Sequence, residues 1–274
     1  MKKIAVVGMG IIGGSICGAL TKAGYLVDGF SRGEQSLEIA LKKGYIHEKG
    51  QRLADYDVVF IAVPPKATLD YLQRADFKDG ALVCDICGVK KIVETAVYQT
   101  PRNYRYVGLH PMAGKETSGI ESASPQLFVG ANLIITHAPQ TKQEDVAEVK
   151  TYANAMGFGK IVECTADEHD KKIALTSQLA HIVSNAYVKS EQVRGCDGFT
   201  GGSFQDMTRI AGVDEGVWTP LYACNRENIV KELDGLIQNL SVYRDALVAE
   251  DDEALAEALK AGRKIRETIR RKND

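Results

Sequence analysis

A chain of 274 residues that is 45% apolar and 26% charged has the composition of a soluble globular protein and enough length for two modest cores. Its net charge of -2 and pI near 6.2 leave no surplus positive field, which argues against nucleic acid or an acidic membrane as a partner and leaves room for local pockets that take small anions. No apolar run reaches the roughly 18 residues that a helical bilayer span requires.

The chain opens on MKKIAVVGMGIIGG. Its charged start and apolar run look superficially like a secretory leader, but the glycines sit at nucleotide-binding spacing and no small-residue cleavage site follows, so it reads as the first strand of a cytoplasmic protein. From there to about residue 164 short β-rich runs alternate with helical patterns, the signature of a parallel sheet covered by helices. Strands are expected at residues 3–7, 26–30, 58–63, 81–86, 106–109, 133–136 and 160–164. Between them, SLEIALKKG and EDVAEVKTYANAMG read as helices that end at Gly44 and Gly157, glycine being the usual residue just past a helix end.

After Thr165 the pattern changes. Residues 166–194 read as one long helix, with IALTSQLAHIVSNAYV supplying apolar positions at helical spacing. A glycine-rich segment, GCDGFTGGSFQDMTRIAG, interrupts it, and residues 217–248 resume a long amphipathic pattern. The last helix carries Glu250, Asp251, Asp252 and Glu253 at its start and Arg266, Arg270, Arg271 and Lys272 at its end; this polarity matches the helix dipole and reads as a solvated helix, not a binding tail. Without a repeat, low-complexity tract or linker, the expected division is a dinucleotide-binding domain at 1–164, a doubly wound, mostly parallel Rossmann-type sheet, tightly joined to an all-α domain at 165–274.

Six scattered cysteines in a chain without secretory features favour reduced, mostly buried thiols. Cys84 and Cys87 form a C-x-x-C, but on a strand, positions three apart face opposite ways, and no second pair completes a zinc site, so no metal is expected.

Gly8-Met9-Gly10-Ile11-Ile12-Gly13 follows an apolar strand and opens a helix, the context that makes GxGxxG persuasive. Gly8 would make the tight turn, Gly10 would let the backbone approach a pyrophosphate, and Gly13 would allow close helix packing, with the diphosphate on the free N–H groups around Ile11 and Ile12. The second strand ends in Ser31-Arg32, a hydroxyl and a guanidinium suited to a 2′-phosphate, which favours NADP over NAD. Asp28 is within reach to act as a ribose acid, although its mid-strand position suits a structural role better. Val63-Pro64 would wall the dinucleotide, a role that loop punctuation explains equally well, and Asp85, closing ALVCDI, is a further candidate at the cofactor.

The carboxyl ends of such a sheet face the ligand, so polar residues just beyond the strands carry weight. His110 directly follows YVGL, and an imidazole there can exchange a proton near neutral pH while an alcohol is oxidised. GMGIIGGS at 8–15, GLHPMAGKE at 108–116, DEHDKKIALTSQLAH at 167–181 and SFQDMTRIAG at 203–212, followed by Trp218 and NREN at 225–228, together make the chain resemble the prephenate/arogenate dehydrogenase family nearly end to end. The resemblance implies oxidation of the ring hydroxyl of prephenate or arogenate with loss of the ring carboxylate as CO2. It implies His110 as the proton acceptor, Arg209 as the holder of a substrate carboxylate, and Ser177, Gln178, His181 and Trp218 around the substrate. It also implies a homodimer built by interlocking helical domains.

Two departures stand out. The family's D-x-x-S-V-K stretch has Gly88 in place of the serine that orients the histidine, so a backbone group, a water or Cys87 would have to do so; and S-H-L-P-H reads S-Q-L-A-H, leaving Gln178 where a histidine is common. With the sequence ending at Asp274, no fused regulatory or mutase domain is expected. Two alternatives stay open at this stage. A β-hydroxyacid dehydrogenase has the same domain order but relies on a helix-borne lysine, for which no suitable motif is found, and a non-catalytic NAD(P)-binding protein would be consistent with Gly88.

Overall fold

The computed structural model describes residues 2–114 and 117–270; Lys115 and Glu116 of the GLHPMAGKE motif, and Arg271 and Lys272 of the basic end, lie outside the described residues. Seven strands form one sheet: β1 (Ile4–Val7), β2 (Val27–Phe30), β3 (Val58–Ile61), β4 (Leu82–Asp85), β5 (Arg105–Met112), β6 (Asn132–Thr136) and β7 (Lys160–Cys164), in the order β2-β1-β3-β4-β5-β6-β7. β1 to β5 run parallel, β6 pairs antiparallel with β5, and β7 is parallel to β6. β1, β3 and β4 are buried along their whole length, as expected of parallel strands covered on both faces.

Alternate strand residues feed two cores. Ile4, Val6, Phe60 and Cys84 join the core on one face, while Ala5, Val7, Val59, Ile61 and Val83 join the core on the other. Cys84, on β4, and Cys87, just beyond its end, lie in opposite cores. On the sheet pack α1 (Ile11–Lys22), α2 (Glu34–Lys42), α3 (Pro65–Arg74), α4 (Lys91–Gln99) and α5 (Gln143–Met156). Gly44 and Gly157 close α2 and α5 with φ of 65° and 85°, the left-handed conformation that glycine adopts without steric cost.

Strand β5 is longer than its expected 106–109. Its parallel ladder with β4 stops at Gly108, opposite Asp85, but pairing with β6 continues to Met112. His110 therefore sits within a paired strand, past the end of the parallel ladder. Pro111, which has no N–H, is tolerated there because β5 has lost its neighbour on one side.

The helix expected at 166–194 ends early. It comprises α6 (Ala166–Ile173), one widened π-helical turn (Ala174–Leu179) and α7 (Ala180–Tyr187). Extended Ser190, whose hydroxyl accepts from the Gln192 N–H, begins a separate short turn, a competition with the helix that serine side chains commonly offer. After α8 (Gly202–Thr208), the stretch expected to run unbroken over 217–248 is two helices, α9 (Glu215–Cys224) and α10 (Arg226–Val248). They part at Asn225, whose buried side-chain amide donates to Asp170 O at 2.8 Å and to Gln178 Oε1 at 2.6 Å.

By compactness the chain divides into Met1–Asn225 and Arg226–Asp274. The expected boundary at 164/165 marks the end of the sheet and the start of the helices; it falls inside the first unit because α6 is bonded to α4 and β5. In the second unit α10 is followed by α11 (Asp252–Arg270), the turn formed by Glu250 at φ 52° and by Asp251, whose carboxylate accepts the Ala254 N–H at 2.9 Å. Ile237, Leu240, Val242, Leu259 and Ile265 on these helices remain more than half exposed. No helix among the described residues is long and apolar enough to cross a membrane.

Candidate active site

The glycine loop lies at the carboxyl end of β1, where the strand order reverses between β2 and β3. Gly8 has φ +99°, and a Cβ on it would stand 2.3 Å from the Ala62 carbonyl; a Cβ on Gly13 would meet the Gly8 carbonyl at 1.8 Å. Gly10 is different: nothing lies within 4 Å of where its Cβ would be, so its backbone faces open space. The first helical bond of α1 runs from Gly14 N–H to Gly10 O, leaving the N–H groups of Ile11, Ile12 and Gly13 without helical partners.

Gly8 N–H donates to Phe30 O at 2.7 Å, which brings the end of β2 beside the loop. There Ser31 is half-buried and accepts from the Gly33 N–H, while Arg32 is exposed and makes no ion pair among the described residues. Val63 is half-buried, with a methyl 2.7 Å from the position of a Gly8 Cβ, and Pro64 is exposed at the start of α3. Asp28 is occupied: its carboxylate accepts from the Glu48 N–H at 3.2 Å and from the Tyr56 hydroxyl at 2.9 Å.

Asp85 requires a correction. Expected at the cofactor, its side chain is fully buried and fully engaged, accepting from Lys90 Nζ at 2.5 Å, Cys87 N–H at 2.9 Å and Tyr106 hydroxyl at 2.6 Å. Lys90 is itself wholly buried. An ion pair in such a place is tolerated because further hydrogen bonds satisfy the carboxylate, and burial beside Asp85 pushes the Tyr106 phenol well above its usual range.

His110 is half-buried, and its Nδ1 lies 2.8 Å from Nε2 of His169. His169, on α6, is 1% exposed and places its own Nδ1 2.7 Å from Oδ1 of Asp170. Asp170 also accepts the backbone N–H groups of Lys90 and Lys91, at 2.8 and 3.0 Å. Burial, with His169 and Lys90 nearby, holds His110 well below the ordinary imidazole range, and burial also lowers His169. Near neutral pH His110 is therefore a neutral ring with a lone pair to offer. Its Nε2 faces Gly88: a Cβ there would stand 3.7 Å from that nitrogen and 3.4 Å from the Leu221 side chain.

Of the protein groups expected in place of a serine at 88, neither Cys87 nor a backbone group bonds the His110 side chain among the described residues; His169 does. Cys87 is buried, and desolvation pushes its thiol up to about 12. His169 and Asp170 were legible as an adjacent His-Asp pair early in a helix, and Lys90 as a lysine between apolar runs, but nothing in the sequence connects either feature to His110.

A second cluster gathers His181, Ser177 and Trp218. His181 Nδ1 donates to Ser177 O at 2.9 Å, and its ring lies 4.0 Å from that of Trp218. The widened turn separates His169 from His181 on one continuous rod; π turns frequently occur at functional sites. Ser184 donates to Met207 O and Asn185 to Ala211 O, so α7 holds the stretch that carries Arg209, which is exposed. Gln178 is the second correction: expected at the substrate, it is fully buried and its oxygen is held by Asn225, so it braces helices.

Two family models match the chain: prephenate dehydrogenase, nucleotide-binding domain, over residues 16–162, and prephenate dehydrogenase, dimerization domain, over residues 165–261. The prephenate dehydrogenase of Lactococcus lactis subsp. cremoris is 30% identical, over 98% of this chain and 78% of the relative. The cyclohexadienyl dehydrogenase of Zymomonas mobilis is 27% identical, over 100% and 98%. Among solved structures, the prephenate dehydrogenase from A. aeolicus in complex with hydroxyphenyl propionate and NAD+ superposes with a TM-score of 0.86 at 27% identity, covering 98% of each chain. Synechocystis arogenate dehydrogenase gives 0.83 at 26%, covering 97% and 99%. A 3-hydroxyisobutyrate dehydrogenase from Salmonella typhimurium, at 0.59 and 12% over 94% and 99%, shares the fold alone.

Proposed function

Because the chain belongs to the prephenate dehydrogenase family, we propose that it oxidises and decarboxylates prephenate to 4-hydroxyphenylpyruvate in tyrosine biosynthesis, with arogenate and tyrosine as the second substrate and product pair. The observation that carries the reading is the neutral, half-buried His110, fixed by His169, with Nε2 turned to the space beside Gly88 and Leu221.

The residues fit a dinucleotide: Gly10 opens on free space, and three N–H groups of α1 lack helical partners. A bound nicotinamide would supply the acceptor for a hydride from the ring carbon that carries the hydroxyl. His110 takes the hydroxyl proton at Nε2. Arg209 holds a substrate carboxylate with its planar fork, and His181, Ser177 and Trp218 wall the substrate. As the ring becomes a ketone, its bond to the departing carboxylate breaks, CO2 leaves, and the electron pair restores aromaticity. The proton held by His110 then returns to the phenolic oxygen.

We infer a preference for NADP. Asp28 is held by Tyr56 and by the Glu48 backbone, while exposed Arg32 and half-buried Ser31, just past the end of β2, suit a 2′-phosphate. The half-exposed apolar side chains of α10 and α11 support a homodimer, in which the partner would cover them. Six unpaired thiols agree with a reducing compartment such as the cytoplasm.

The test follows reduced-cofactor absorbance with prephenate and arogenate, each with NAD and NADP, for wild type and His110→Asn. Turnover by wild type and a loss of about 100-fold or more in kcat for the variant are expected; comparable rates would remove the histidine from the chemistry. Tight cofactor binding with no reduction by either substrate would favour a non-catalytic binding protein.

A further inference from the structure

The hydrogen bonds that end on His110 decide which of its nitrogens is bare. Asp170 accepts the backbone N–H groups of Lys90 and Lys91. His169 Nδ1, 2.7 Å from Oδ1 of the same carboxylate, must then carry its proton. A neutral imidazole has one N–H, so Nε2 of His169 is an acceptor. His110 Nδ1, 2.8 Å from that acceptor, carries its proton in turn, and the lone pair of His110 is left on Nε2. Reversing either ring would set two N–H groups, or two lone pairs, against each other.

We propose that His169 and Asp170 are positioning residues that hold His110 in the tautomer with a bare Nε2 and stabilise the imidazolium formed when that nitrogen takes a proton. The proposal rests on the reading of His110 as the base. In the step concerned, the substrate O–H bond breaks and an Nε2–H bond forms; the Nδ1–H of the resulting imidazolium already points at His169 Nε2, and the Asp170 carboxylate stands at the far end of the chain. Asp170 and His169 are each 1% exposed, so the chain works in a medium where such bonds are stronger than in water. The charged and titratable groups around His110 are His169 and Asp170 from α6, and Lys90 with its partner Asp85 from the end of β4 and the start of α4. Lys90 opposes a positive charge on the ring, which sharpens the need for a carboxylate reached through His169.

The arrangement accounts for Gly88. A hydroxyl at position 88 would lie on the Nε2 side of His110, whereas this chain orients the ring from its Nδ1 side, leaving Nε2 clear for substrate.

The direct test is the long-range proton–nitrogen imidazole spectrum of the full chain, which has five histidines, assigned with His110→Asn and His169→Gln. His110 and His169 are both expected as Nδ1–H tautomers with unprotonated Nε2. A His110 spectrum showing Nε2–H overturns the proposal, and this measurement needs no variant at Asp170. In kinetics, Asp170→Asn removes the anionic end of the chain and His169→Ala removes the link to it; each should lose on the order of 100-fold in kcat with KM changed only a few-fold. His169→Gln, whose amide oxygen can still accept from His110 Nδ1, should recover part of the rate and move the acid limb of kcat/KM. A merely structural role would lower rates uniformly across pH, and such a result would overturn the proposal. If wild type turns over and His110→Asn is dead while both His169 variants keep full kcat, the positioning role fails and the base survives. If wild type turns over neither substrate, the functional reading fails, and the imidazole spectrum still decides the tautomer.

Discussion

The glycine loop and the histidine chain are built by different means. Two of the loop glycines are fixed by backbone sterics: Gly13 by the carbonyl of Gly8, and Gly8 by its own φ of +99° and the Ala62 carbonyl. The histidine chain is assembled across distance, from strand β5, helix α6 and the two backbone N–H groups at the start of α4. The difference teaches that steric requirements on the backbone leave a spacing in the sequence, whereas hydrogen bonds between remote side chains leave only residue types.

Breaking each region should give different signatures. The largest effect is expected for Lys90→Met, which strands the buried Asp85 carboxylate; the loss should be about 3–5 kcal/mol in urea unfolding, and a loss below about 1 kcal/mol would show that the pair contributes little. Gly8→Ala forces a side chain into the left-handed region and against the Ala62 carbonyl, at a cost of about 1–3 kcal/mol together with weakened cofactor binding, measured by calorimetry.

Next in size is a pH effect. His110 and His169 are held below their ordinary value, so on acidification the unfolded chain takes up protons that the folded chain refuses. Stability should therefore be complete above the ordinary imidazole pKa of about 6.5 and fall as pH drops through it, by at most about 1.4 kcal/mol per pH unit for each histidine. His110→Asn should flatten that decline, and an unchanged slope would count against the buried neutral pair. The smallest effect on stability belongs to Gly10→Ala. With open space at its Cβ position, it should change unfolding by less than about 0.5 kcal/mol, yet it should raise the Kd for cofactor at least tenfold by blocking the approach of the pyrophosphate. An equal loss at Gly8 and Gly10 would erase the distinction between a folding glycine and a binding one.

The same division governs what the sequence reveals. All seven strands are visible in it to within a few residues, because buried parallel strands are written as short apolar runs. The extension of β5 to Met112 is not, since it depends on pairing with β6 and continues through a proline. The early end of the 166–194 helix at Tyr187 and the break at Asn225 turn on single polar side chains, Ser190 and Asn225, that bond outside the helical ladder. Within the candidate site, the sequence singles out His110 and the glycines as residue types at telling positions. Asp85 and Gln178 are read in the wrong role because a polar residue near a strand end or on a helix face gives no sign of being wholly enclosed. His169 and Asp170 are visible as residues but not as partners, since fifty-nine positions separate His169 from His110.

That His110 stands in a paired strand, not in a loop, also bears on how the rate should respond to temperature. A base carried by a mobile segment surrenders conformational freedom at every turnover, about 1–2 kcal/mol for each residue that must be ordered. On β5 this ordering is complete before any ligand arrives, so the activation entropy of the proton-transfer step should carry no cost for ordering the base. Substitutions that loosen the β5–β6 ladder should then make it more negative without touching the ring.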